Sequence, residues 1–250
     1  MLLRDFADRD IHALPTARVT KENQLDLPAC HTVKRVVEFS DLTPAVRRDL
    51  NALMDAAGRQ TAEFLALLER RTMRRYCIGN AYRTLRDQFV ADHYVSPFGL
   101  QARLWKTALQ FASNIWERHW RAVQENARSD IRKSAWFQRA LPAEQHFVHR
   151  MLFKLSDDFF EMLDGRSPIP KGFDASGIPR RKSLCDQIRR AVRRAMKKAP
   201  RHGATRSMCF DESSWSSREA DGVQYIDLMS LTPRKRIALT LKGKSRLHNG

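Results

Sequence analysis

The chain has 250 residues, 42% of them apolar and 29% charged, with 45 Lys and Arg against 28 Asp and Glu and a formal net charge of +17. That is enough apolar material for one large cored domain or two ordinary ones. The 10 Gly and 10 Pro exclude a collagen-like or low-complexity chain, the lack of any apolar window near membrane-spanning length excludes a helical membrane protein, and four Cys are too sparse for a disulfide-stapled secreted module.

Residues 1–30 show no period and read as an irregular lead-in without a signal peptide, so a cytoplasmic protein is expected. Residues 32–39 are rich in β-branched side chains and read as a strand. Thr43 and Pro44 then form a capped helix start. Val46, Leu50, Leu53, Met54, Ala57, Phe64, Leu65 and Leu68 follow at helical spacing, and Arg70, Arg71, Arg74 and Arg75 would suit the dipole at the helix end. Gly79-Asn80 marks a break before a shorter helix over about 81–94. Ser96-Pro97 repeats the capped start, and Leu100, Leu104, Ala108, Phe111, Ile115 and Val123 predict a long helix to about residue 130. Trp105, Trp116 and Trp120 on or beside its apolar stripe serve either core packing or, with one ring exposed, base stacking.

Pro142 opens a further helix carrying Phe147, Val148, Met151, Leu152, Leu155 and Phe159 on one face. His146 and His149 lie three apart on it, but no third ligand accompanies them, so surface or capping roles are expected. The Gly- and Pro-rich stretch 164–182 is a loop or linker. Ser183 and Asp186 predict the start of a helix over 183–199, with Leu184, Ile188, Ala191, Val192, Ala195 and Met196 as its apolar stripe. Beyond residue 203 the period turns to alternation. Strands are expected around 206–210, over 223–228 and over 235–242, with turns at Asp221-Gly222 and Thr232-Pro233.

This order predicts an α+β fold, in which a helical block over 43–200 is inserted into a small antiparallel, barrel-like sheet. Residues 31–42 supply its first strand and 203–250 the others. Strand 32–39 would pair with strands beyond 205, because unpaired buried backbone is costly.

Charge is uneven along the chain. Residues 1–45 hold 6 basic and 7 acidic side chains, whereas 180–250 hold 18 basic and 6 acidic, a net of +12. Such a field concentrates a polyanion, and nucleic acid is the most general one, with an anionic membrane surface or a merely solvated face as rival readings. The candidate contacts are Arg189, Arg190, Arg193, Arg194, Lys197 and Lys198 on the predicted helix 183–199. A second group, Arg234, Lys235, Arg236, Lys242, Lys244 and Arg246, flanks the last strand. No phosphate-binding, dinucleotide, nucleophile-elbow or metal-spaced motif occurs, so no catalytic residue and no cofactor is assigned, and Cys30, Cys77, Cys185 and Cys209 are expected to be free thiols.

Three runs carry a family resemblance. Leu42-Thr43-Pro44 through Leu50, with Arg59 beyond, is similar to the opening of TnpB-type proteins. Ser96 to Ala102 resembles the family's entry into a recognition-lobe helix. Arg206 to Phe210, Tyr225 to Leu228 and Thr232 to Gly243 resemble the wedge strands that precede the nuclease domain of TnpB-like and type V CRISPR effector proteins. The resemblance covers about 32–246. It implies a wedge barrel with an inserted recognition lobe, binding to a guide RNA and target DNA, and a divalent-metal RuvC-like centre in a full-length member. Those carboxylates do not follow the last strand here. The chain therefore reads as the nucleic-acid-binding N-terminal portion of such an endonuclease, without nuclease activity of its own and with a separately encoded nuclease half as a partner. The alternative is a self-contained basic DNA- or RNA-binding protein.

Overall fold

The computed structural model describes residues 42–76, 78–174, 176–199, 208, 210, 211 and 213–241. Helix α1 (Pro44–Leu68) starts as the sequence predicts. The Thr43 hydroxyl accepts the Val46 N–H at 3.4 Å, and Pro44 takes the first helical position, where no intrahelical bond is lost. The helix ends at Leu68, short of the expected cluster of arginines, and α2 (Arg71–Tyr76) follows a bend. Leu67, Leu68 and Met73 are all fully buried, and on one straight helix they would point in three different directions. The bend therefore lets all three reach the core. It also moves Arg71 from a helix end to a helix start, where it pairs with Asp164 at 2.8 Å, and Arg74 lies 5.3 Å over the Trp120 ring.

Helix α3 (Ala81–Ala91) is capped by Asn80, whose Oδ1 accepts the Arg83 N–H at 2.9 Å. Its end is a Schellman motif with His93 in the left-handed position at φ 52°. There the Tyr94 N–H donates to Phe89 O at 2.9 Å and the His93 N–H to Val90 O at 3.2 Å. The motif seats the Tyr94 ring against Phe89 and Phe64, and Gln60 donates to its hydroxyl at 2.9 Å.

Helix α4 (Ala102–Arg132) begins later than Ser96-Pro97 predicts. The Ser96 hydroxyl caps a tight turn instead, accepting the Phe98 N–H at 3.2 Å, and Gly99 leaves the turn at φ 75°, which a helix cannot use. Trp105, Trp116 and Trp120 are each 3% exposed and belong to cores, not to an open stacking surface. Trp120 meets Phe159 and Phe160 edge-on, at 5.9 and 5.3 Å between ring centres.

After the short α5 (Ala135–Gln138), the single helix expected from Pro142 proves to be two. Helix α6 (Pro142–Phe153) stops at the extended Lys154, and Ser156 caps α7 (Asp157–Leu163) by accepting the Phe159 N–H at 3.2 Å. The loop between α7 and α8 (Arg181–Lys198) is pinned: Pro170 and Ile178 are buried, and Phe173 packs edge-on against Phe147. Ser183 is not the cap of α8. Arg180 takes that position, and its guanidinium is engaged with Glu144.

The chain divides into two compact units. One comprises residues 59–94 and 108–205, and the other residues 1–58, 95–107 and 206–250. The second unit contains an antiparallel sheet in the order β1 (Trp215–Ala220), β2 (Val223–Met229), β3 (Arg236–Leu241). Strand β1 was not legible, because Trp-Ser-Ser-Arg-Glu-Ala has no β-branched residue. Pairing with β2 makes it a strand, through a two-residue turn in which Asp221 and Gly222 both have positive φ, 52° and 71°. Met208 and Phe210 lie outside any strand, Arg206, Ser207 and Cys209 are outside the described residues, and β1 at 215–220 is a strand the sequence reading did not include. Among the described residues the sheet is open, not a closed barrel, and the expected strand 32–39 and its pairing lie outside them. The fold class is α+β.

In this unit Gln101 Nε2 donates to Ser230 O at 2.6 Å, and Arg103 donates to Ser213 O at 2.9 Å. One sheet face carries Ile226, Leu228, Ile237, Leu239 and Leu241. The other carries Arg218, which lies 4.2 Å over the Tyr225 ring and 2.7 Å from Asp227.

Candidate nucleic-acid interface

Helix α8 holds eight basic residues and one acidic residue, Asp186, in eighteen positions. Its buried stripe is Leu184, Cys185, Ile188, Ala191, Val192 and Ala195. That stripe anchors the helix by apolar burial and leaves the remaining surface to the cations. Arg190, Arg193, Arg194 and Lys197 are exposed and recur at i, i+3, i+4 and i+7, so they form one ridge about 10 Å long. None of the four has an acidic partner among the described residues. Like charges at i,i+4 spacing, Arg190 with Arg194 and Arg193 with Lys197, destabilise an isolated helix by about 0.2–0.5 kcal/mol each.

The other two candidates on this helix differ. Lys198 is exposed and lies 3.7 Å from Asp130 on α4. Arg189 is turned inward, with its side chain 12% exposed: Nε donates to Met162 O at 2.7 Å, Nη1 to Asp186 at 2.6 Å and Nη2 to Arg166 O at 3.2 Å. It joins α8 to the end of α7, and each of its three nitrogens already donates a hydrogen bond within the protein.

The second predicted group belongs to the other unit. Arg234 is exposed at φ 66°, Lys235 pairs with Asp49 at 2.6 Å, and Arg236 donates to Ser214 O at 3.2 Å. Lys242, Lys244 and Arg246 lie outside the described residues.

Sequence reasoning passed over a further set of cations, Arg121, Arg128 and Arg132 on α4 and Lys133 in the turn that follows it. The recurrence of Arg121, Arg128 and Arg132 at i, i+7 and i+11 was the available signal. Arg121 lies 3.7 Å from Glu117 and Arg128 3.8 Å from Glu125, both within the helix, while Arg132 and Lys133 are exposed.

Among the described residues, no group of three or more His, Cys, Asp or Glu side chains is placed to hold a metal ion. His146 and His149 are exposed, and their rings lie against Phe173 and Phe153 respectively. Cys185 is buried, and that burial pushes its thiol up from the ordinary range, which keeps it a poor nucleophile at neutral pH. Cys30, Cys77 and Cys209 lie outside the described residues. No described helix is long and apolar enough to cross a membrane. No protein-family model matches the chain, and no curated protein or solved structure matches it either.

Proposed function

We propose that this chain binds nucleic acid, gripping phosphates through the α8 ridge Arg190, Arg193, Arg194 and Lys197. The observation that carries the proposal is four exposed cations on one ridge without an acidic partner among the described residues. A solvated structural face would interleave Glu or Asp at i,i+4 for mutual support. A phosphate backbone relieves the repulsion and releases condensed counterions.

In its finer form the polyanion is a guide RNA with its DNA target, and the chain is the nucleic-acid-binding part of a TnpB-like RNA-guided DNA endonuclease. Support for that form comes from a helical block followed by antiparallel strands, and from the residue runs at 42–50, 96–102, 225–228 and 232–243.

The test is binding of structured RNA and of duplex DNA across a salt series. Changing Arg190, Arg194 and Lys197 together to Gln should weaken both without regard to sequence. The slope of log affinity against log salt should become shallower by about 0.9 per lost duplex contact, or about 0.7 on a single strand. Unchanged affinity and slope in a folded triple variant would overturn the α8 assignment. Binding to anionic vesicles with none to RNA or DNA would overturn the nucleic-acid reading.

A further inference from the structure

Residues 232–235 close a turn between β2 and β3, in which the Lys235 N–H donates to Thr232 O at 3.2 Å. Pro233 stands second in it and Arg234 third, with φ 66°. That is the type II pattern, whose third place suits Gly or Asn, because an L side chain there crowds its own backbone. Among the described residues His93 and Asp221 also have positive φ. Asp and His enter this region several-fold more readily than other side chains do, whereas arginine has no such preference.

The surrounding bonds hold the strained form. The buried Ser230 hydroxyl is shared between Thr232 O at 2.9 Å and Lys235 O at 3.0 Å. Gln101 Nε2 donates to Ser230 O at 2.6 Å and to Thr232 O at 3.4 Å. Lys235 ties the turn to Asp49 on α1 at 2.6 Å. The backbone at Arg234 is therefore fixed, yet the fold makes no use of its side chain. The guanidinium is exposed, without a hydrogen-bond or acidic partner among the described residues. Strain kept at a side chain that the fold does not use points to a use outside it.

The company is cationic. Arg236 is exposed and spends one donor on Ser214 O. Arg48 on α1 is exposed and has no acidic partner among the described residues. Asp49, the residue after it, is taken by Lys235. A guanidinium offers two parallel donors to a phosphate, and a rigid turn presents it with little ordering left to do.

We infer that Arg234 is a second phosphate contact for nucleic acid, presented by a strained turn of the unit that holds the sheet. The inference rests on the nucleic-acid reading of this chain. It adds a contact whose energy is separate from that of the α8 ridge, which belongs to the other unit.

The experiment measures binding of the full chain to a structured RNA and to a DNA duplex across a salt series. Arg234→Gln removes the charge and keeps the strained backbone. It should weaken binding roughly three- to tenfold at about 0.1 M salt and make the salt slope shallower by about 0.9 on the duplex. The same loss should appear in the α8 triple-Gln background, because distant independent sites add. Arg234→Lys should keep the slope. Arg234→Gly should weaken binding as much as Gln does while raising the melting temperature by about 2–4 °C, since glycine relieves the strain.

If Arg234→Gln leaves affinity and slope unchanged while the α8 triple variant lowers both, the turn assignment falls and the α8 reading stands. Weakening by Arg234→Gly but not by Arg234→Gln would trace the loss to the turn backbone and overturn the phosphate contact. A fall in melting temperature for Arg234→Gly would overturn the strain argument. Failure of the wild-type protein to bind either probe at low salt would overturn both the turn and the α8 readings.

Discussion

Glu144 is fully buried, and three donors hold its carboxylate: the Leu141 N–H at 3.0 Å, Arg180 Nε at 2.9 Å and Arg180 Nη2 at 2.5 Å. Pairing with the guanidinium, helped by the backbone donor, holds this carboxyl below its ordinary value despite burial. The folded form therefore binds its proton less readily than the unfolded chain. The stability this adds is complete above the ordinary carboxylate range and is lost as pH falls through the depressed value. Glu144→Gln should cost about 1–3 kcal/mol at pH 7, and the gap to wild type should close toward pH 3, as read by urea midpoints at both values. A gap that stays constant with pH would show that packing, and not the ionised carboxylate, makes the difference. Arg189 offers a second comparison at this scale. Arg189→Gln should destabilise by about 1–3 kcal/mol, because the carbonyls of Met162 and Arg166 lose a charged donor. The exposed Arg194→Gln should change stability by less than about 0.5 kcal/mol. Equal thermal shifts for the two would contradict the inward role of Arg189.

Helix ends, more than helix middles, shape the elements of this protein. The α3 end places a non-glycine residue, His93, in the left-handed region, at a cost of about 1 kcal/mol that a glycine avoids. His93 is exposed, so its side chain contributes no burial to the core. His93→Gly should therefore raise stability by about 0.5–1 kcal/mol, measured by denaturant midpoint with an unchanged slope. A loss of stability would mean that the imidazole makes a contact worth more than the strain. At α8 the balance is reversed. The buried stripe fixes the helix, while the ridge opposes it through repulsion, and this is why α8 is the element a polyanion should stabilise most.

For the whole molecule, a net charge of +17 and a ridge without acidic partners among the described residues make stability depend on what is bound. A ligand that binds only the folded state stabilises it by about 2.7 kcal/mol at one hundred times its dissociation constant. For a chain of this length that corresponds to a rise in melting temperature of roughly 5–10 °C. Adding RNA at low salt should produce such a rise, and about 1 M salt should erase it by screening and by counterion competition. A rise that survives high salt would point to contacts other than phosphates. The α8 triple variant should show a smaller rise at the same RNA concentration.

Apolar period, turn chemistry and charge are local properties. The sequence by itself therefore determined the mixed class, the helices starting at Pro44 and near residue 81, the long α4, the Asp221-Gly222 hairpin turn and the basic side of α8. What it could not show were features that depend on a distant partner. Leu67, Leu68 and Met73 share one core only because the chain bends between them. Trp215–Ala220 is a strand only because β2 lies beside it. Arg189 looks the same as Arg190 along the chain, yet one turns to the carbonyls of Met162 and Arg166 and the other to solvent. Trp116 and Gln124 line a hollow only once α4 meets the α6–α7 junction, where α6 stops at Lys154 and Ser156 caps α7. Local preference is written residue by residue, whereas which donor finds which acceptor is decided by packing across tens of residues of chain.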